Sequence, residues 1–314
     1  MQAKLAGYFN SHSYRVTRKL TSKVLHYTVL ISLSFVFIYP IMYILSQSFM
    51  QITDITDATV QWVPKELSFE HYRFAFDKMD YWHSFTNSAL STLGPAFAQI
   101  ISCSIIGYGF ARYQFPGHRI LLGLVLFTFL VPPQTIVIPL FIFFGELNWL
   151  NTHLPIIVPS IFGQGLRGAL FVLIFMQFFR GLPYQLEEAA RIDGAGAYRT
   201  FMQIMLPLAG PALLVVFLFS TVWHWNDVFQ PNLYYMIEEH FNLPQQLAIL
   251  DTEGVFRVQQ AKMMTGGGTL ASVPTNYNRN MAGALITILP LIILYSFAQR
   301  YFIEGVERTG IAGD

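Results

Sequence analysis

Charge is what this sequence has least of. Only 12% of its 314 residues are Asp, Glu, Lys or Arg, against about 25% in a typical soluble chain. A soluble fold of this length needs a polar skin, and so small a fraction cannot supply one. Lysine is scarce: Lys4, Lys19, Lys23, Lys65, Lys78 and Lys262 are all there are. None follows a glycine, so the chain has no G-K-[ST] loop and does not bind ATP in that manner. The single cysteine, Cys103, lies in an apolar run with no intrachain partner, which excludes a disulfide scaffold. No two histidines are four residues apart and no H-E-x-x-H occurs, which argues against a zinc site. A G-x-S-x-G elbow is missing too. Gly194-Ala195-Gly196 lacks the third glycine of a dinucleotide fingerprint. Gly266-Gly267-Gly268 has no strand-to-helix context and reads as a flexible turn. A net charge of +1 argues against nucleic-acid binding.

What is present is apolar. Hydrophobic residues make up 54% of the chain and aromatics 16%, and the mean hydropathy is +0.44. That is the composition of a polytopic membrane protein. Six runs are long enough to span the hydrocarbon: residues 27–46, 88–110, 120–144, 156–178, 210–229 and 281–302. The first follows the basic stretch Arg15 to Lys23. Its apolar run is too long for a signal peptide, and no small-x-small cleavage site follows, so it reads as an uncleaved helix.

Loop charge sets the orientation. The tail 1–23 carries Lys4, Arg15, Arg18, Lys19 and Lys23 with no acid. Arg112 and Arg119 lie between the second and third spans, and Arg180, Arg191 and Arg199 between the fourth and fifth. Arg300 and Arg308 lie at the C-terminal end. The alternate loops, 51–85, 145–151 and 231–278, carry more acid than base. Both termini are therefore expected in the cytoplasm. Prolines 40, 95, 132, 133, 139, 159 and 290 interrupt the spans. Either they are accommodated by ordinary packing, or the bundle bends around a path. Gly107, Gly109 and Ala111 are small enough to admit close helix contact.

The longest cytoplasmic loop is the most informative segment. Residues 180–207 read RGLPYQLEEAARIDGAGAYRTFMQIMLP. Pro183 suits a first helical turn, where its missing N–H costs nothing. Glu187 and Glu188 fall where carboxylates favour the helix dipole. Leu186, Ala189, Ala190 and Ile192 are assigned to an apolar side; Glu187, Glu188, Arg191 and Asp193 to a polar one. Gly194 is placed to end the helix in the left-handed conformation. Tyr198, Phe201, Met202 and Met205 begin a second stripe that stops before Pro207. Periodicity alone leaves two readings: a connector resting on lipid, or a docking element.

The spacing adds a resemblance. Glu188-Ala189-Ala190, three residues, Gly194, nine residues, Ile204, one residue and Leu206-Pro207 is similar at every position to the EAA loop of ABC importer permeases. The stretch from Tyr108 to Pro116 (YGFARYQFP) resembles the segment after the second helix of maltose-type carbohydrate permeases. Pro132-Pro133 through Pro139, Trp223-His224-Trp225-Asn226-Asp227 and the ending from Gln299 to Gly305 (QRYFIEG) resemble the same family, over about residue 27 to the end. The pattern is closest to its six-helix partner subunit. The resemblance implies an all-α integral membrane protein of six transmembrane helices, with the type I ABC importer permease fold in a single domain, 1–314, and a cytoplasmic coupling helix.

It also implies that Glu187, Glu188, Ala189, Ala190, Asp193, Gly194, Ile204, Leu206 and Pro207 couple to an ATP-binding subunit. The implied complex has a second permease, two ATP-binding subunits that hold ATP and Mg, and an extracytoplasmic solute-binding protein that delivers an oligosaccharide. This chain itself would bind no cofactor and no metal, would not be an enzyme, and would lie in the bacterial cytoplasmic membrane among lipid. The tail 303–314 departs from the family ending: Asp314, not lysine, follows Gly313. The loop 231–278 is longer than the family pattern. A secondary carrier would need internal repeats and midplane coupling residues, which are not evident. A membrane-embedded enzyme lacks a catalytic cluster, while a permease for a non-sugar solute stays open.

Trp223, Trp225, Asn226 and Asp227 stand near the outer end of the fifth span. Flat rings beside amides suit a sugar; an interfacial aromatic belt explains the tryptophans equally. Tyr234 and Tyr235 suit contact with a binding protein or with headgroups. Arg167, in Gly163-Gln164-Gly165-Leu166-Arg167-Gly168, falls well inside the fourth span. Three readings compete: a pair with an acid of the partner permease, a helix that starts later so that Arg167 snorkels, or a lining of the substrate cavity.

Overall fold

A computed structural model describes residues 2–250 and 277–310, apart from residues 52, 55, 56, 58 and 61; in 2–18 and 302–310 it describes the backbone alone. Gly266-Gly267-Gly268, most of the long loop 231–278 and the last residues of the tail lie outside the described residues. Among those described, regular structure is helical throughout. In chain order the helices are α1 (Gln2–Phe49), α2 (Glu70–Lys78), α3 (Tyr81–Arg112), α4 (His118–Leu130), α5 (Pro133–Glu146), α6 (Leu154–Ile161), α7 (Gly168–Gly181), α8 (Gln185–Ile192), α9 (Ala197–Leu208), α10 (Gly210–Asn226), α11 (Phe229–Tyr234) and α12 (Tyr277–Gly310). Residues 243–250 are also helical.

Three helices are long and apolar enough to cross a membrane alone: Lys19–Phe49 of α1, α3, and Tyr277–Tyr301 of α12. Three further candidates are bent pairs, α4 with α5 at 98°, α7 with α8 at 75°, and α9 with α10 at 74°. The expected third and fourth spans are therefore not continuous. The third breaks at Val131 and Pro132, where Pro132 and Pro133 stand together. Proline supplies no N–H and clashes with the preceding turn, and neither half, at 13 and 14 residues, reaches the roughly 30 Å of hydrocarbon alone. The fourth is interrupted between Ile161 and Gly168, where Gly163 and Gly165 adopt φ of +73° and +108°. The other span prolines, at 40, 95, 139, 159 and 290, sit inside helices.

The long helix α3 organises the interior, packing against α6, α7 and α10. Its buried face is polar: Ser84, Ser88, Ser91, Thr92, Gln99 and Ser102 all turn inward. Its exposed face carries Leu90, Phe97, Ile101 and Ile105. That inversion suits a chain whose surroundings are apolar, where interhelical hydrogen bonds and close contact replace the hydrophobic drive. Several of the serine hydroxyls bond locally or across helices: Ser91 donates to the Asn87 carbonyl at 2.8 Å, and Ser102 to the Ser160 carbonyl of α6 at 2.7 Å, whereas Thr92 Oγ1 is buried without a partner. Close contact is visible at Gly107, where an added Cβ would stand 2.6 Å from Phe175 Cβ and 2.9 Å from the Met176 amide nitrogen. Gly109, expected to do the same, faces open space instead.

Two apolar clusters lie at opposite ends of the bundle. One, with Tyr108, Phe171, Phe175, Phe179, Phe201, Met205 and Val216, joins α3, α7, α9 and α10 near the α8 loop. The other, with Met79, Tyr81, Trp225, Leu243, Leu250 and Ile286, closes the far end. Tyr234 and Tyr235 are buried in a third cluster with Phe144 and Ile156. The expectation that they face a binding protein or headgroups is therefore corrected: burying two large rings outweighs the cost of two hydroxyls, and Tyr235 Oη bonds His153 Nδ1 at 2.8 Å.

Candidate functional site: the α8–α9 loop and the break before α7

The helix expected after Pro183 runs from Gln185 to Ile192, with Tyr184 at its N-cap. It ends as the glycine spacing predicts. Gly194 has φ of +78°, its N–H meets the Arg191 carbonyl at 3.0 Å, and the Ala195 N–H meets the Ala190 carbonyl at 2.8 Å. Those two bonds form a Schellman cap, which needs a residue tolerant of the left-handed region. Gly196 then resumes an extended conformation, φ −73° and ψ 168°, and starts α9. Residues Phe201–Met205 of α9 form a π turn, and the chain bends at Ala209 into α10.

The faces of α8 differ from the expected assignment. Glu187 and Ala190, three residues apart, are the buried pair, with Leu186 half-buried. Ala189 is exposed and Ile192 is 86% exposed. The physical reason is Arg112 at the end of α3. Its Nε stands 3.2 Å from Glu187 Oε1, with side-chain exposures of 0% and 6%. A buried guanidinium calls for a counter-charge, so Glu187 turns inward and Ile192 is carried outward. Glu188, Arg191 and Asp193 share the outward side with Ala189 and Ile192. In the second limb Phe201 and Met205 are buried, Ile204 and Leu206 half-buried, and Tyr198, Met202 and Pro207 exposed. Of the coupling residues named from the sequence, the outward surface thus keeps Glu188, Ala189, Asp193, Gly194 and Pro207. Ala190 and Glu187 support it from beneath.

Arg112, which entered the sequence reading only as one of the positive loop residues, is the side chain that contacts the start of α8 from the end of α3. A usable signal was present: Tyr108 and Arg112 fall one helical turn apart at the end of a span, placing a ring and a guanidinium on one face.

The residues expected near the substrate divide. Arg167 lies outside a helix, at the N-cap of α7, with φ of +62°. The helix starts later than the apolar run suggested, because Gly163, Gly165 and Gly168 open the turn; the Leu166 carbonyl is held by Gln99 Nε2 at 3.0 Å. Gln99 in turn accepts from Ser220 Oγ of α10 at 2.6 Å. The Arg167 guanidinium stands 5.5 Å from the Trp223 ring centre, and the rings of Phe171 and Phe219 pack near-parallel to Trp223 at 5.6 Å each. Arg167 is exposed, and among the described residues it makes no ion pair. Trp225 does not join them: it is buried in the far cluster and donates to the Thr287 carbonyl at 3.1 Å. Asn226 donates to the Val222 carbonyl of its own helix at 2.8 Å. Asp227 Oδ1 accepts from the Phe229 amide at 2.9 Å. Asn226 and Asp227 shape the turn into α11, so neither is gathered with Arg167 and Trp223.

An apolar helical bundle with a polar, broken interior and a short amphipathic helix displayed at one end is the build of a membrane permease subunit. Comparison with known proteins makes this specific. Residues 103–308 match the family described as "Binding-protein-dependent transport system inner membrane component". The chain belongs to this family, the non-catalytic multi-pass permeases of ABC importers, which work with a solute-binding protein and ATP-binding subunits. It is 30% identical over 302 residues to the "Arabinooligosaccharides transport system permease protein AraQ" of Halalkalibacterium halodurans, covering 94% of this chain and 100% of the relative. It is 27% identical over 291 residues to the "Polygalacturonan/rhamnogalacturonan transport system permease protein YtcP" of Bacillus subtilis, covering 92% and 98%. Among solved structures, a chain of "a bacterial ABC transporter involved in the import of the acidic polysaccharide alginate" shares the fold. The TM-score is 0.71 at 24% identity, over 89% of this chain and 95% of that one.

Proposed function

We propose that this permease translocates oligosaccharides delivered by an extracytoplasmic solute-binding protein. It pairs with a second, homologous permease, and two ATP-binding subunits hold ATP and Mg. Six spans, with α4 and α5 together as the third, α6 and α7 as the fourth and α10 as the fifth, leave α8 outside the bilayer, and the basic-residue count then puts both termini and the α8 loop in the cytoplasm of a bacterial cell. The relatives named for arabinooligosaccharides and polygalacturonan support the sugar.

One observation carries the coupling role: α8 displays Glu188, Ala189 and Ile192 outward on a helix fixed at both ends, by Arg112 and by the Gly194 cap. An apolar residue 86% exposed beside a carboxylate fits a protein groove with a basic rim better than water. In the reading that follows, ATP binding draws the coupling helices together, the bundle opens to the loaded binding protein, and hydrolysis resets it. Ile204, Leu206 and Pro207 carry that motion from α9 into α10. Arg167 on Trp223, at the break before α7, lines the pathway; a cation over an aromatic face offers a sugar both stacking and a fork for hydroxyl or carboxylate oxygens.

The test is transport by the full complex in proteoliposomes, with the cognate binding protein presented in turn with neutral and acidic oligosaccharides, amino acids and peptides. ATP-dependent uptake of an oligosaccharide is expected. Uptake of amino acids or peptides alone would refute the sugar, and uptake driven by an ion gradient without ATP would refute the mechanism.

A further inference from the structure

Arg112 does more than neutralise one acid. It ends α3, the helix that packs on α6, α7 and α10, and it grips three successive points of the segment leading into α8. Its Nη2 donates to the carbonyl of Leu182, the residue that ends α7, at 2.7 Å. Its guanidinium carbon stands 4.3 Å from the ring centre of Tyr184, the N-cap of α8. Its Nε reaches Glu187 in the first turn. Chain connectivity ties α8 only to α7 before it and α9 after it. Arg112 adds a tie to a third helix, the one that crosses the whole bundle.

Two further features surround this tie. Arg112 Nε and Nη1 and Glu187 Oε1 make no well-aligned hydrogen bond. That pair is held by charge and proximity, while the same guanidinium is anchored to the Leu182 carbonyl. A cavity of about 230 Å³ adjoins Glu187, with Tyr108, Tyr113, Arg191 and Thr200 on its walls. One turn above Arg112, Tyr108 packs on Phe179 of α7 and Phe201 of α9, at ring separations of 5.3 and 5.0 Å. The tip of α3 is thus wedged between α7 and α9, the helices on either side of α8 in the chain.

We propose that the Arg112–Glu187 pair is the strut that carries displacement of α8 into α3. This makes Glu187 a positioning residue beneath the docking face, and it rests on the coupling role of α8 given above. A strut and a docking contact fail differently. Weakened docking is overcome by adding partner; a broken strut is not.

The experiment uses the complete importer in nanodiscs, with the binding protein loaded. The readout is the ratio of stimulated to basal ATP hydrolysis per assembled complex, with and without excess ATP-binding subunit. Glu187→Gln keeps the size and an acceptor but removes the charge. The ratio is expected to fall at least about fivefold, the lower end of coupling between linked sites, and to stay low in excess ATP-binding subunit. Tyr184→Leu, at an exposed ring, is expected to lower it about twofold through the lost ring–guanidinium contact. A wild-type ratio in assembled Glu187→Gln, or its recovery in excess ATP-binding subunit, would overturn the strut. Should Glu187→Gln fail to assemble, Tyr184→Leu decides, and an unchanged ratio there overturns it. Failure of the unaltered complex to respond to the loaded binding protein would sink the coupling reading itself.

Discussion

Gly194 and Gly196 sit two residues apart and make a controlled pair. Neither would bring an added Cβ within 4 Å of another group, so substitution by alanine meets no steric obstacle at either. They differ in backbone alone. Gly194 has φ of +78°, where a Cβ costs roughly 1–2 kcal/mol. Gly196 has φ of −73°, open to any residue. Since about 1.4 kcal/mol is tenfold in an equilibrium, Gly194→Ala should shift the capped loop by roughly 5- to 30-fold toward open forms. The Schellman bond from the Ala195 N–H to the Ala190 carbonyl, 2.8 Å long, reports this directly. Hydrogen exchange at the Ala195 amide should quicken by about that factor in Gly194→Ala, and not at all in Gly196→Ala. Stimulated ATP hydrolysis should follow the same order, with Gly194→Asn between, because asparagine tolerates the left-handed region better than alanine. Equal exchange rates in the two alanine variants would refute the argument, since only backbone conformation separates the sites.

Three other outcomes are expected. Glu188→Lys should leave the permease inserted and folded, because the side chain is exposed, while stimulated ATP hydrolysis and transport fall together; wild-type stimulation in that variant contradicts a docking role. A cysteine at position 196, in a background without Cys103, should resist an impermeant reagent added outside intact cells; labelling there overturns the orientation. Arg167→Gln should lower transport of an acidic oligosaccharide about tenfold or more while changing a neutral one far less, the loss of one charge-assisted hydrogen bond. Equal losses for both, or loss of complex assembly, would place Arg167 in a structural pair with the partner permease instead.

Most of the large-scale organisation was legible in the sequence, because the membrane simplifies the code. A chain with so little charge and so many long apolar runs has to be helical in lipid, where every backbone group must find its partner inside the segment. The α8 loop was equally readable: Gly194 stands where a C-cap is required, and local backbone geometry depends on neighbours in sequence. At Pro132-Pro133 the sequence marked an interruption but left ordinary packing and a bend both open; the packed chain bends there by 98°.

Tertiary structure decided which side of each element mattered. Helical periodicity sorted α8 into apolar and polar sides, and a distant arginine reversed that sorting by taking Glu187 inward and leaving Ile192 out. The same rule separates Trp223 from Trp225. Two residues apart on one helix, they face different partners, one beneath Arg167 and the other in a packed cluster against α12. Even the start of α7 depends on Gln99 and Ser220, far away in the chain, holding the broken turn that precedes it. A sequence specifies what a segment does with its own neighbours, through φ preferences and hydrogen bonds a few residues long. Burial and charge pairing act across space, and only the packed bundle brings Arg112 to Glu187.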